Sequence, residues 1–270
     1  MMNFCKHLAL KLDDSVKITF VVTEEWLHIL ESDPKPPQIH LRSVPNVIPS
    51  EFVRSGTLDF DSFLEIVVAE MESPIEHILN TSEPANVIIA DFYFMWAISA
   101  GNQRNIPVVS FWPSTSRVFS VMYHAELLAK NGHSLTDLSD CGDKVIDYIP
   151  GVPPTRLVDM PLFPNGNDPK FNPAMVAFSM LDKVQCLLIV TIYELESQVT
   201  DTLREKFPFP TYTIGPSISN ITTNIEQHHH IHRKNTESST VKYICKSRGT
   251  FLCRMARLPT YKLRPVHRIW

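Results

Sequence analysis

Ile88-Ile89-Ala90-Asp91-Phe92 is the stretch on which the fold turns, a short β-branched run closed by a carboxylate. Pro107-Val108-Val109-Ser110-Phe111-Trp112 is a second run of the same kind, and Tyr93 to Gln103 reads as a helix bridging the two. Continuous apolar strands separated by helices predict a parallel α/β sheet covered on both faces. Such sheets keep their chemistry at the carboxyl ends of the strands. Asp91 is therefore the first candidate for a functional side chain.

The alternation extends in both directions. Met1 to Leu12 carries apolar residues at helical spacing, and Val16 to Val22 is a β-branched strand. Thr23 can cap the following helix, with Glu24 and Glu25 in its first turn. Gln38 to Val44 alternates as a strand, and Phe60 to Asn80 is a long amphipathic helix in which Pro74 predicts a kink or break. Further on, Pro150 to Pro173 is a proline-rich loop. Cys186 to Val190 is a strand, Leu195 to Lys206 a helix, and Tyr212-Thr213-Ile214 a strand ending at Gly215-Pro216. Beyond that point neither period survives, which divides the chain into a domain over 1–219 and a tail over 220–270.

Composition sets the outer bounds. A hydrophobic content of 44% and a charged content of 20% suit a globular protein. No apolar run approaches the ~20 residues of a membrane span, and no secretory leader pattern opens the chain. Five cysteines without a CxxC pair predict reduced thiols and a cytoplasmic setting. The net charge of −4 hides a division, because residues 221–270 hold ten Lys or Arg against two acids. That tail lacks a zinc framework or stacking module, so no nucleic-acid partner is expected. His228-His229-His230-Ile231-His232 has no carboxylate or thiolate nearby and reads as a chance run rather than a metal site.

Several pieces recur in a familiar order: Val21-Val22-Thr23-Glu24-Glu25-Trp26, Ile88-Ile89-Ala90-Asp91, Asn105-Ile106-Pro107-Val108, Ser110-Phe111-Trp112-Pro113, Asp147-Tyr148-Ile149-Pro150-Gly151, Tyr193-Glu194-Leu195-Glu196 and Tyr212-Thr213-Ile214-Gly215-Pro216. Together they resemble the N-terminal, acceptor-binding half of plant UDP-dependent glycosyltransferases, from residue 1 to about residue 218. The resemblance implies a GT-B architecture of two facing Rossmann-like domains. It also implies transfer of a sugar, with inversion, from a UDP-sugar co-substrate to a hydroxyl of a small acceptor. No metal or other cofactor is implied.

In that family a histidine after the first strand deprotonates the acceptor, and an aspartate at a later strand end orients it. An alcohol needs such a base because its own pKa is far too high for unaided attack. By position Asp91 matches the aspartate, and the same carboxylate can also cap the helix that follows. Phe92, Trp112, Ser114, Ser116, Phe119 and Met122 fall at the expected acceptor cleft. The aromatic ones suit core duty equally, and Phe94, Met95 and Trp96 read mainly as core.

Three departures shape the expectation for activity. The family's first strand and its Gly-His-Ile-Asn-Pro turn would precede Met1, so a central sheet position should be open, with two neighbouring edges unpaired. His7, His28 and His77 fall within helices and do not replace the base. The donor-binding half is absent, and Pro113, followed by Ser114, stands where many relatives carry a hydroxyl residue. The tail reads as an out-of-frame translation. Met255-Ala256 requires ATG-GCN, which contains a tryptophan codon in a displaced frame, and permitted codons there continue the family's Trp-Leu-Asp linker. The expectation is an inactive chain, with a non-catalytic binding fragment or a pseudogene product as the alternative.

Overall fold

The computed structural model describes residues 1–12, 15–46, 60–133, 143–160, 173–215 and 253–255. Strands β1 (Val16–Thr23) and β2 (Ile39–Val44) pair in parallel, as do β3 (Ile88–Asp91), β4 (Val108–Trp112), β7 (Cys186–Ile189) and β8 (Thr211–Thr213) in that order. Two further strands, β5 (Val145–Ile146) and β6 (Thr155–Arg156), form a small antiparallel pair. The α/β class and the parallel pairing follow the sequence reading.

Alternate residues of the central strands feed two cores. Val109, Phe111, Cys186 and Leu188 pack with Phe4, Cys5 and Leu8 of helix α1 (Met2–Lys11). Val108, Trp112, Leu187 and Ile189 face the larger core. That core is covered by α3 (Phe60–Thr81), α4 (Met95–Gln103), α5 (Ser116–Tyr123), α6 (Ala125–Lys130), α7 (Pro173–Ser179) and α8 (Ser197–Lys206). Strands buried on both faces lose the period-2 alternation, which is why they read as unbroken apolar runs.

Helix α4 seats closely on the sheet at Gly101, where a Cβ would collide with the Val108 side chain and the Ile106 carbonyl oxygen. Arg104, at the end of α4, hydrogen-bonds the Glu76 carboxylate and Asn80 Oδ1 of α3. The two helices are thereby locked along one side.

Several local expectations change. Pro74 lies within α3 without ending it. The helix after Asp91 begins at Met95 rather than Tyr93, because a turn closes first through Phe94 N–H to Asp91 O at 2.9 Å. The last long helix begins at Ser197, after a 3-10 turn over Tyr193–Leu195. Thr23 does sit at the N-cap of α2 (Glu24–Glu31), but its side chain makes no capping bond. Asn46 Oδ1 instead accepts the Glu25 N–H at 3.0 Å. The proline-rich stretch contains β6 and a 3-10 turn over Leu157–Asp159 before it passes outside the described residues.

The tail supplies one element. Strand β9 (Cys253–Met255) pairs antiparallel with Val16 to Ile18 of β1. The rest of 216–270, including His228 to His232 and the Arg254-to-Trp270 frame-shift reading apart from β9, lies outside the described residues.

Candidate functional site

Asp91 ends β3 at the carboxyl edge of the four-stranded sheet. Its Oδ1 accepts the Tyr93 N–H at 3.2 Å, and its other oxygen has no hydrogen-bond partner among the described residues. The carboxylate thus caps the turn with one oxygen and keeps the other for something else. Burial raises its pKa above the ordinary value, opposed by the Tyr93 N–H and by the charge of the Met1 α-amino group. Desolvation dominates because most of the environment is apolar.

That environment is a cavity of about 130 Å³ between β1 and β3. Its walls include Cys5 of α1, Phe20 and Val21 of β1, Ile89 of β3 and Phe94 and Trp96 after Asp91. Met71, Ile75 and Leu79 of α3 close one side. The Cys5 thiol, pushed up to about 12 by burial, is a neutral wall rather than a nucleophile. Trp96 is 9% exposed, and its indole N–H is buried without a partner among the described residues. An indole nitrogen can only donate, so this donor is buried unused in a residue that, like Asp91, lines the cavity.

The residues expected at the acceptor cleft divide sharply. Phe92, Trp112 and Phe119 pack edge-to-face on one another and edge-to-face or tilted on Phe178, with ring centroids 4.7–6.2 Å apart. Met122 is buried in the same core. Ser116 is fully buried, its Oγ 2.9 Å from Thr200 Oγ1 and its N–H donating to Glu196 Oε2 at 2.7 Å. Ser114 alone of the six is half-buried, on the connection from β4 to α5. None of the six lines the cavity beside Asp91.

Phe94 and Trp96, read from the sequence mainly as core, do line it. Their signal was positional, since both follow the strand-end carboxylate within five residues. Met71, Ile75 and Leu79 carried no signal beyond ordinary helical periodicity. Glu196 was also overlooked as a fastener. Its Oε2 accepts both the Ser116 N–H and the Thr191 hydroxyl, the latter at 2.6 Å, tying the end of β7 to the start of α5.

Among the described residues no histidine lines the cavity. His28 and His77 are exposed and His7 is half-buried. His133 is buried against the Tyr148 hydroxyl, and His124 bonds Ser120 O. No group of three His, Cys, Asp or Glu among the described residues could hold a metal ion, and no described helix is long and apolar enough to cross a membrane.

No protein-family model matches the chain. Individual relatives do. It is 42% identical to UDP-glycosyltransferase 87A1 of Arabidopsis thaliana over 220 residues, which is 81% of this chain and 49% of that protein. It is 31% identical to 7-deoxyloganetin glucosyltransferase of Catharanthus roseus over 196 residues, 65% of this chain and 39% of that one. The chain spans about half the length of the Arabidopsis relative. Apo UGT2 of Phytolacca americana shares the fold at a TM-score of 0.62 and 17% identity, over 80% of this chain and 48% of that chain. With this sheet, this strand-end carboxylate and this degree of identity, the chain belongs to the plant UDP-glycosyltransferases and corresponds to their N-terminal half.

Proposed function

We propose that this chain is the acceptor-holding half of an inverting UDP-sugar-dependent glycosyltransferase and that these 270 residues bind acceptor without transferring sugar. Asp91 carries the reading. It is a strand-end carboxylate with one oxygen used locally and the other open, set in apolar walls. Desolvation raises the cost of its charge, so a nearby cation is strongly favoured there. An imidazolium formed on taking a proton from an acceptor hydroxyl supplies such a cation, and a carboxylate then holds the ring in the productive orientation.

The 130 Å³ cavity is smaller than the ~300 Å³ of the smallest usual ligand pockets. We therefore place the acceptor at the mouth, between Asp91, Phe94 and Ser114. The buried cluster of Phe92, Trp112, Phe119 and Met122, with Ser116, acts beneath this mouth by fixing the strand ends. Among the described residues no imidazole reaches Asp91, and no glycine-rich strand–helix turn is present to hold a pyrophosphate. The reading also takes the site to be cytoplasmic and to need no metal.

Phytolacca americana UGT2 has been solved with UDP-2fluoro-glucose and pterostilbene, which makes pterostilbene a reasonable probe. Titrated into the isotope-labelled chain, it should shift the Phe94, Trp96 and Ala97 resonances saturably, while UDP-glucose plus pterostilbene gives no glucoside. Asp91-dependent glucoside formation would overturn the inactivity, and unperturbed resonances at those residues would overturn the acceptor site.

A further inference from the structure

The turn Pro113-Ser114-Thr115 leads from β4 into α5. Pro113 and Thr115 are exposed and Ser114 is half-buried, whereas Trp112 before them and Ser116 after them are buried. Trp112 Nε1–H donates to Thr115 O at 3.1 Å and closes the turn on itself. That bond shapes the turn. The side chain that ties it to the neighbouring strand is Glu196.

Ser116 opens α5, and the first N–H groups of a helix have no partner inside it. Thr115 Oγ1 takes one of them, the Val118 N–H. Glu196 Oε2 takes another, the Ser116 N–H, at 2.7 Å, and the same oxygen accepts the Thr191 hydroxyl at 2.6 Å. Thr191 lies just past β7, and its carbonyl oxygen accepts the N–H of Gly215, just past β8, at 3.1 Å. One carboxylate oxygen thus joins the start of α5 to the ends of β7 and β8. The contact closes into a ring, because Thr200 N–H donates to Glu196 O at 2.9 Å and Thr200 Oγ1 meets Ser116 Oγ at 2.9 Å. Both bonds to Oε2 have the short lengths of charge-assisted hydrogen bonds. A negative charge here also meets the positive end of α5.

We propose that Glu196 is a positioning residue for acceptor binding, whose carboxylate sets where Ser114 stands by holding Ser116 and Thr191 together. This role rests on the acceptor reading above for its ligand and on the hydrogen bonds alone for its mechanism. Glu196 bonds the backbone of Ser116, two residues from Ser114, with no flexible side chain between them. A shift at Oε2 therefore passes directly into the turn. A fastener that served stability alone would act on affinity no more than an equal loss elsewhere in the fold.

The test compares Glu196→Ala, Glu196→Gln and Glu76→Gln in the full 270-residue chain, isotope-labelled. Glu76→Gln weakens the carboxylate bond to Arg104 between α3 and α4 and is the stability control away from the turn. Amide exchange is read at Ser116, with Leu187, bonded to Pro210 O at 3.0 Å, as the reference for global opening. Glu196→Ala should speed Ser116 exchange about tenfold beyond any change at Leu187. Glu196→Gln, which keeps a neutral acceptor oxygen, should speed it about threefold. Pterostilbene affinity should fall about tenfold and about threefold in the same order, and stay unchanged in Glu76→Gln. Glu196→Gln alone decides each point if Glu196→Ala does not fold. Unmoved Ser116 exchange would overturn the contact. Unchanged affinity in the Glu196 variants, or an equal fall in Glu76→Gln, would overturn the positioning role. If the unsubstituted chain binds no pterostilbene, the acceptor reading falls by itself, and the heteronuclear NOE of Ser114 decides the positioning role. That value should drop in the Glu196 variants and hold in Glu76→Gln, and an unchanged value would overturn the role.

Discussion

The four-stranded sheet and the β1–β2 pair obey the same physics to different degrees. In the first, every strand interface is closed, and Leu187, Leu188 and Ile189 are 0% exposed. In the second, Phe20, Val21 and Val22 are only partly buried, and among the described residues no strand pairs with the edge facing β3 beyond Ile18. The closed side supplies rigidity. The open side holds Asp91 and the cavity. The under-used carboxylate lies where packing is incomplete, because only there does a polar group remain available to a second molecule.

The largest effects should distinguish the two sides by cavity formation. Leu188→Ala, in the middle of β7, should cost about 3–4 kcal/mol, the range for deleting a fully buried leucine. Ile89→Ala, at the wall of the existing cavity, should cost only about 1–2 kcal/mol, since part of its surface already lacks neighbours. Urea denaturation of both variants at matched concentration measures the difference. Equal losses would mean that the gap beside Ile89 is closed in solution and that the contrast between the two regions is wrong.

The sequence made this contrast only partly readable. The unbroken runs at Ile88, Val108 and Cys186 announced strands buried on both faces. For the same reason they hid which face each side chain served. Phe92, Trp112 and Phe119 therefore read equally as cleft or core, and they sit in the aromatic core. Helix α5 carries no clear apolar period because its buried positions include hydroxyls, Ser116 and Ser120. Ser116 bonds Thr200 Oγ1, and Ser120 donates to Pro150 O at 3.2 Å. Long-range partners of that kind are not encoded in local spacing. Asp91 was legible because a carboxylate directly after an apolar strand is rare and its position is fixed by the fold.

Carboxylate neutralisation should have opposite signs in the two regions. On the closed side Glu196→Gln weakens two bonds to a charged acceptor and should cost about 1 kcal/mol. On the open side Asp91→Asn should stabilise. Burial raises the folded-state pKa of Asp91, so the folded chain binds its proton more tightly than the unfolded chain does. Stability therefore falls as pH rises from the ordinary carboxylate value through the raised one, and stays lower above it. The Asp91→Asn gain should be full at neutral pH and disappear below the unfolded carboxylate pKa. Thermal melts across that range check it. A gain that persists in acid would reflect packing rather than charge.

The smallest contrast is in the helix caps. Thr115 and Thr23 occupy equivalent N-cap positions with nearly identical backbone angles, φ −75° and ψ 162° against φ −75° and ψ 161°. Only Thr115, on the closed side, accepts a bond, from Val118 N–H at 3.3 Å. At Thr23 the neighbouring strand end supplies Asn46 Oδ1 to Glu25 N–H instead. Thr115→Ala should then cost about 1 kcal/mol and Thr23→Ala a few tenths, the difference between a working cap and a side chain that satisfies no donor. Paired denaturation curves resolve this. If Asn46→Ala costs more than Thr23→Ala, capping of α2 has passed from the residue that the local sequence nominates to one that only the fold brings near. Equal losses at Thr115 and Thr23 would show instead that the two helix starts are held alike, and that the open side differs from the closed side only in its gap.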